Sequence, residues 1–179
     1  MPDAAIHIRV MSISEADQIG GIDRSEWIEA TYRMVNGQLE RSDAGHECST
    51  WSAEQVKALI TRFKEEVGRG GYAVGAYHES HLVGFGVLGH KLRGSNSDQV
   101  HVDLLYVSRN YRRRGTGTRI MVELEKVARA RGAAFLYISS TETQSAVGFY
   151  SHYGSELAGQ ADPELYALEP NDIHMLKKL

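Results

Sequence analysis

The chain contains one cysteine and three prolines in 179 residues. A lone thiol, Cys48, excludes an internal disulfide framework and fits a reducing compartment. No stretch approaches the ~20 consecutive apolar residues that a membrane-spanning helix needs, so no membrane association is expected. The opening MPDAAIHIRV lacks a basic segment followed by an apolar core, which leaves the cytoplasm as the expected location. Excess positive charge is missing too: 20 Lys and Arg face 23 Asp and Glu, for a net charge of −3. That balance argues against the broad basic face of a nucleic-acid-binding protein. His46-Glu47-Cys48 has no second group of ligands elsewhere to complete it, so no metal is expected. Internal repeats and low-complexity linkers are absent.

What is present suits one globular domain spanning residues 1–179. The length allows one sizeable core, with hydrophobic residues at 42% and charged residues at 24%. Ile6 to Met11 alternates as a first strand, and a short helix follows from Ser12 or Ser14 to Gly20-Gly21. Asn36-Gly37 favours a hairpin between strands at Ile28–Met34 and Gln38–Arg41, although a helix over Ser25–Val35 fits nearly as well. A polar loop is expected from Asp43 to Trp51. Ser52-x-x-Gln55 is a capping box for a helix over Ala53–Val67, whose Val56, Leu59, Ile60, Phe63 and Val67 make one apolar stripe. Tyr72–Tyr77 and Leu82–Leu92 read as a second hairpin. Val100–Val107, a helix over Thr116–Arg131 and Ala134–Ile138 form a strand, crossover helix and strand unit. Ala146–Tyr153 is a short helix. Leu157, Leu165–Leu168 and Ile173–Leu176 then read as edge strands, with Pro163 and Pro170 punctuating loops.

The densest signal lies between Leu104 and Met121, LLYVSRNYRRRGTGTRIM. A strand leads through an arginine-rich loop into a helix that opens on two glycines. Backbone N–H groups at a helix start, unobstructed at Gly115 and Gly117, form an anion cradle, and Arg112, Arg113 and Arg114 add positive charge. A Walker loop would need a lysine after Gly117, and a dinucleotide fingerprint would need a third glycine within Thr118–Met121. Both are missing.

The spacing Arg112-x-x-Gly115-x-Gly117, following a strand and opening an amphipathic helix, resembles the GNAT superfamily of acyl-CoA-dependent N-acyltransferases. Its pattern is Arg or Gln, two residues, Gly, one residue, then Gly or Ala. The resemblance runs from about Tyr72 to Tyr153. It implies an α/β fold of the GNAT type: a mixed, mostly antiparallel sheet flanked by helices. Residues 1–71 would form the acceptor side, 72–153 the acetyl-CoA-binding core and 154–179 the C-terminal strands. Acetyl-CoA would be the acyl donor. Its pantetheine arm would lie along the backbone of Leu105, Tyr106 and Val107, and its pyrophosphate on Arg112, Arg113, Arg114, Gly115, Thr116, Gly117 and Thr118. The arginine side chains would reach the outer phosphate.

SAVGFYSHYG is similar to a second family block, with Ala146 four residues before a tyrosine that stands near the thioester sulfur. Tyr150 is therefore the expected general acid for the departing thiolate, with Tyr153 as a rival. Two positions depart from the pattern. Thr143 stands where many members have asparagine and would contact the coenzyme arm, and Ser155 stands where phenylalanine usually follows the glycine. For the base, a period of two puts His101, Asp103, Leu105 and Val107 on one face, and the family often places a base on this strand. Asp103 and His101 are the candidates, against a structural ion pair or hydrogen bond. Glu26 and Glu29, with Tyr32, precede the third strand, where the family builds its acceptor pocket, and they are candidate contacts to an amine.

The expected reaction is direct transfer of acetyl to a primary amine, preferably of a small molecule. A lysine or protein N-terminal acetyltransferase is the rival within the class, and a non-catalytic acyl-CoA sensor is the rival outside it. C-terminal edge strands would suit a homodimer.

Overall fold

Ile6 and Ile8 alternate with polar residues, and the strand they predict, β1 (Ile6–Val10), forms one edge of a seven-stranded sheet in the computed structural model. The structure describes residues 5–179. A 3-10 segment follows (Ile13–Gly21), then β2 (Glu26–Val35), β3 (Gln38–Cys48) and α1 (Ala53–Gly68). Next come β4 (Tyr72–His78), β5 (His81–Arg93), β6 (Gln99–Val107), a 3-10 turn (Arg109–Tyr111) and α2 (Thr116–Ala130). The chain finishes with β7 (Phe135–Ser140), α3 (Gln144–His152), β8 (Glu156–Leu157), α4 (Pro163–Leu168) and β9 (Ile173–Lys178). The sheet order is β1-β4-β5-β6-β7-β9-β8, and only β6 and β7 run parallel, as the crossover through α2 requires.

The Asn36-Gly37 hairpin forms, with φ of 49° and 79° at the two turn residues, as the type I′ geometry asks. Its second strand is longer than expected. The loop predicted from Asp43 is strand as far as Cys48, because Ala30, Ile28, Trp27 and Glu26 supply it with partners. A strand so polar carries no hydrophobic alternation to announce it. The Ser52/Gln55 capping box closes as predicted, with Gln55 N–H donating to Ser52 Oγ at 3.2 Å and Ser52 N–H to Gln55 Oε1 at 2.9 Å.

The C-terminus departs from expectation twice. Leu165–Leu168 is not a strand but lies in α4, where Asp162 caps the first turn and Pro163 occupies the first helical positions. There the proline starts a helix, since its missing N–H is an orphan in the first turn anyway. β9 lies inside the sheet between β7 and β8. The C-terminal edge is therefore the two-residue β8, and the long exposed edge that suited a dimer is absent among the described residues.

The sheet carries apolar layers on both faces. Ile120, Met121 and Leu124 of α2 and Val147 and Tyr150 of α3 pack with Val100, Val102, Leu136 and Ile138 on one face. Phe63 of α1 and Ile19 of the 3-10 segment pack with Tyr77, Phe85 and Leu104 on the other. Each such side chain, fully buried, contributes roughly 1.5–3 kcal/mol. β1 and α1 thus share the sheet and core of residues 72–153.

One irregularity positions the site. On β6, Leu104 opposes Val87 of β5 while Val102 opposes the next residue, Leu88, so Asp103 is an extra residue in a β-bulge. The bulge reverses the alternation. Val100, Val102, Leu105 and Val107 meet the α2/α3 side, whereas Leu104 and Tyr106 meet the α1 side. His101 and Asp103 therefore do not share a face with Leu105 and Val107, contrary to the period of two. Pairing with β7 also ends there, at Val102 against Ile138. From Asp103 to Val107, β6 keeps β5 on one edge and has no sheet strand on the other. The parallel strands splay open.

Candidate functional site

At the end of the splayed strand the arginine loop turns into α2. Gly115 is the N-cap of α2, in a left-handed conformation with φ 77°, and no side chain caps the helix. The first N–H groups of α2 are thus left for an external acceptor, with the helix dipole behind them. Arg113 is also left-handed, at φ 58°, and exposed, as are Arg114 and Thr118. Thr116 is buried and donates its hydroxyl to the Tyr111 carbonyl at 3.1 Å, which fixes the loop from inside.

Arg112 does not reach outward as expected. Its Nε donates to the Val107 carbonyl at 2.8 Å and its terminal nitrogens to the carbonyls of Ser25 and Asp23, at 3.2 and 3.4 Å. The first position of the pattern therefore clamps the cradle to the segment before β2. Gly117 has a structural role as well. A Cβ there would stand 3.2 Å from the Phe149 ring, so the glycine lets α3 pack close to α2 and places the next residue, Tyr150.

Tyr150 is 8% exposed. Its ring meets Phe149 edge-on at 5.2 Å, and its hydroxyl makes no hydrogen bond among the described residues. Burial, together with the nearby Tyr106 and Asp172, pushes the phenol upward, so it is protonated at neutral pH. Tyr153, the rival, engages Glu125 of α2 and lies 5.7 Å below the Lys177 ammonium, within a surface network. Thr143 serves as the N-cap of α3, accepting from Ala146 N–H at 3.3 Å, and its backbone bridges to Thr31 of β2. It was expected on the coenzyme arm, and its hydroxyl is instead occupied at the helix start.

The two candidate bases are both engaged. Asp103 accepts from Arg62 of α1 through both oxygens, at 2.9 and 3.2 Å. His101 is 3% exposed, shares a hydrogen bond of 2.9 Å with Ser139 Oγ, and is depressed to about 4 by burial. Its Nδ1 lies 3.6 Å from Asp103. This is the ion pair and hydrogen bond that stood as the alternative. Of the proposed acceptor contacts, Glu26 accepts from Ser145 Oγ at 2.7 Å and approaches Arg112 at 3.8 Å, beside the cradle. Glu29 is exposed. Tyr32 packs on the α2/α3 core, and its N–H donates to the Glu142 carbonyl at 2.7 Å.

Reading the sequence missed a group of charges at the mouth of the splay. Arg62 also reaches Glu169 at 3.2 Å, and Glu169 shares a hydrogen bond with Asp172. Asp172 immediately precedes β9, whose Ile173 pairs with Ser140 at the end of β7, so it is brought to the loop bearing Glu142. Burial, Glu169 and Glu142 lift the Asp172 carboxyl to about 7. Arg24, whose Nε is buried without a partner among the described residues, acts with Arg62 on Tyr106 in the same region. The only sequence cue was two carboxylates three residues apart in EPND. A concavity of about 510 Å³ lies on the far flank of the arginine loop, lined by Ile6, His78, Tyr111 and Arg119 among others, away from Tyr150.

An acetyltransferase (GNAT) family model matches residues 28–154, more than half of the chain. The chain belongs to the GNAT acetyltransferase family. The most similar solved structures include a nourseothricin acetyltransferase, 20% identical, with a TM-score of 0.73 over 97% of this chain and 98% of that one. A putative streptothricin acetyltransferase from Bacillus anthracis str. Ames, in complex with acetyl coenzyme A, is 18% identical with a TM-score of 0.71 over 98% of this chain and 99% of that one. The PaiA N-acetyltransferase from Thermoplasma acidophilum, in complex with coenzyme A, is 18% identical with a TM-score of 0.65 over 98% and 99%. At these identities the likeness is one of fold, and the GNAT fold is what this chain has. No curated protein matches the sequence. Among the described residues, no helix is long and apolar enough to cross a membrane.

Proposed function

We propose that this GNAT chain is an N-acetyltransferase that moves acetyl from acetyl-CoA directly to a primary amine of a small molecule. The observation that carries the reading is the Tyr150 side chain, packed beside Val102 and Ile138 where β6 and β7 part, its hydroxyl without a hydrogen-bond partner among the described residues, one helix away from an uncapped glycine cradle. The backbone N–H groups of Arg113 to Thr118 hold the pyrophosphate. The unpaired edge of β6 at Leu105, Tyr106 and Val107 takes the pantetheine amides as another strand would. Acetyl-CoA as donor is supported by the complexes of similar structures with coenzyme A and acetyl coenzyme A. A small acceptor is supported by the two similar structures named for nourseothricin and streptothricin. The lone cysteine suits the reducing cytoplasm.

The chemistry runs through a ternary complex. A neutral amine attacks the thioester carbonyl, the tetrahedral intermediate expels the thiolate, and Tyr150 donates a proton to the sulfur as it leaves. A phenol kept protonated by burial is suited to that task. Cys48 lies at the end of β3 and takes no part, so no acyl-enzyme is needed.

The test is thiol release from acetyl-CoA across a panel of small amines and lysine-containing peptides, beside calorimetric binding of acetyl-CoA. Binding with small-amine-dependent release is the expected result. Release with peptides alone would reassign the acceptor to protein, and binding without release would leave an acyl-CoA sensor.

A further inference from the structure

We propose that Asp172 takes the proton from the acceptor's ammonium, with Glu169 and Arg62 as positioning residues that set its readiness to do so. The inference rests on the acetyl-transfer reading above and names the base that reading leaves open. Three observations converge on it. Asp103 and His101, the two candidate bases on β6, are occupied by Arg62 and Ser139 respectively. Asp172 lies at the C-terminal end of β7, the mouth of the splay, because Ile173 pairs with Ser140. The Tyr150 side chain, 8% exposed and with no hydrogen-bond partner for its hydroxyl among the described residues, lies within electrostatic reach of Asp172. An acid for the leaving sulfur and a base for the incoming nitrogen therefore meet at one opening.

The groups facing Asp172 come from every element around it. Glu169 follows α4, Glu142 lies between β7 and α3, Arg62 projects from α1, and the Tyr150 phenol comes from α3. Burial and the two glutamates raise the carboxyl, while Arg62 lowers it, and the balance of about 7 leaves a useful fraction of base at neutral pH. The same carboxylates attract a cation, so the acceptor enters as its ammonium form. Asp172 then removes one N–H proton, and the freed lone pair forms the C–N bond. The C–S bond breaks, and Tyr150 protonates the thiolate. The second nitrogen proton passes to the Tyr150 phenolate and restores the phenol, and Asp172 releases the first proton to solvent. Ammonium plus thioester give amide, thiol and one released proton.

The test measures kcat/KM against pH for wild type, Asp172→Asn and Glu169→Gln, with butylamine, 1,4-diaminobutane and lysine as acceptors. Wild type should rise with pH and level off near pH 7. Asp172→Asn should be about 100-fold slower at pH 7.5, and its rate should keep rising toward the amine's own pKa of about 10. Glu169→Gln should move the wild-type limb to lower pH, because one of the groups raising Asp172 is gone. Acetyl-CoA affinity should stay unchanged in both. An active wild type with an unaltered profile in Asp172→Asn overturns the assignment of the base alone. If Asp172→Asn fails to fold, the Glu169→Gln shift decides, and an unmoved limb overturns it. A wild type that binds acetyl-CoA but releases thiol with no amine overturns the transfer reading and this assignment together.

Discussion

Burial of its ring raises the Tyr150 phenol, which stays protonated at neutral pH with no hydrogen-bond partner among the described residues. Tyr150→Phe should therefore leave folding intact and acetyl-CoA affinity nearly unchanged while lowering turnover at least tenfold, read by thiol release and calorimetry. Normal turnover would remove Tyr150 from the chemistry. His101 presents the opposite case, a titratable group whose partners serve the fold. It is surrounded by Ser139, Asp103, Arg62, Arg93 and Glu169, yet burial dominates and depresses it to about 4. The unfolded chain takes up this proton near pH 6.5, before the native state does. The stability contributed by neutral His101 is thus complete above pH 6.5 and lost as pH falls toward 4. Between pH 7 and pH 5 this amounts to about 2 kcal/mol. Urea denaturation at the two pH values should show that loss in wild type and a smaller one in His101→Gln, which keeps a hydrogen-bonding group for Ser139.

At the scale of elements, two glycines at turns separate local strain from ligand binding. Gly115 and Gly37 have nearly the same left-handed φ, 77° and 79°, and a Cβ at either would meet nothing within 4 Å. Alanine at each should therefore strain only the backbone, by about 1 kcal/mol. At Gly115 the strained residue is the N-cap that aims the N–H groups of α2, so Gly115→Ala should weaken acetyl-CoA binding about tenfold by calorimetry. Gly37→Ala, at the tip of the β2–β3 arm, should lower stability by a similar amount and leave acetyl-CoA affinity alone. Equal affinities in the two variants would mean that the loop before α2 does not hold the donor.

For the whole molecule, the proposed donor route joins parts far apart in sequence: the segment before β2 through Arg112, the open edge of β6 and the start of α2. Binding should consequently stabilise the fold as a unit. Acetyl-CoA at about 100 times its Kd adds about 2.7 kcal/mol, which for a chain of this size raises Tm by about 5–10 °C. A thermal melt with and without the ligand checks this. An unchanged Tm at saturating acetyl-CoA would place donor binding in doubt.

Local chemistry made much of this protein legible from its sequence. The Asn36-Gly37 turn, the Ser52/Gln55 box, the glycine spacing before α2 and the strand, helix, strand unit each depend on neighbours a few residues apart. Their physical constraints are therefore written contiguously. The polar end of β3 and the helix at Pro163 were misread where hydrophobic pattern was silent or a proline had two meanings. The tertiary structure alone decided which charges work together. The bulge at Asp103 turned that residue toward Arg62, and the β7–β9 register brought Asp172 beside Glu142. Long-range packing then buried Tyr150 within electrostatic reach of Asp172. Burial and electrostatic coupling depend on distance in space, and no spacing along the chain encodes that distance for Arg62, Asp103, Glu142, Glu169 and Asp172.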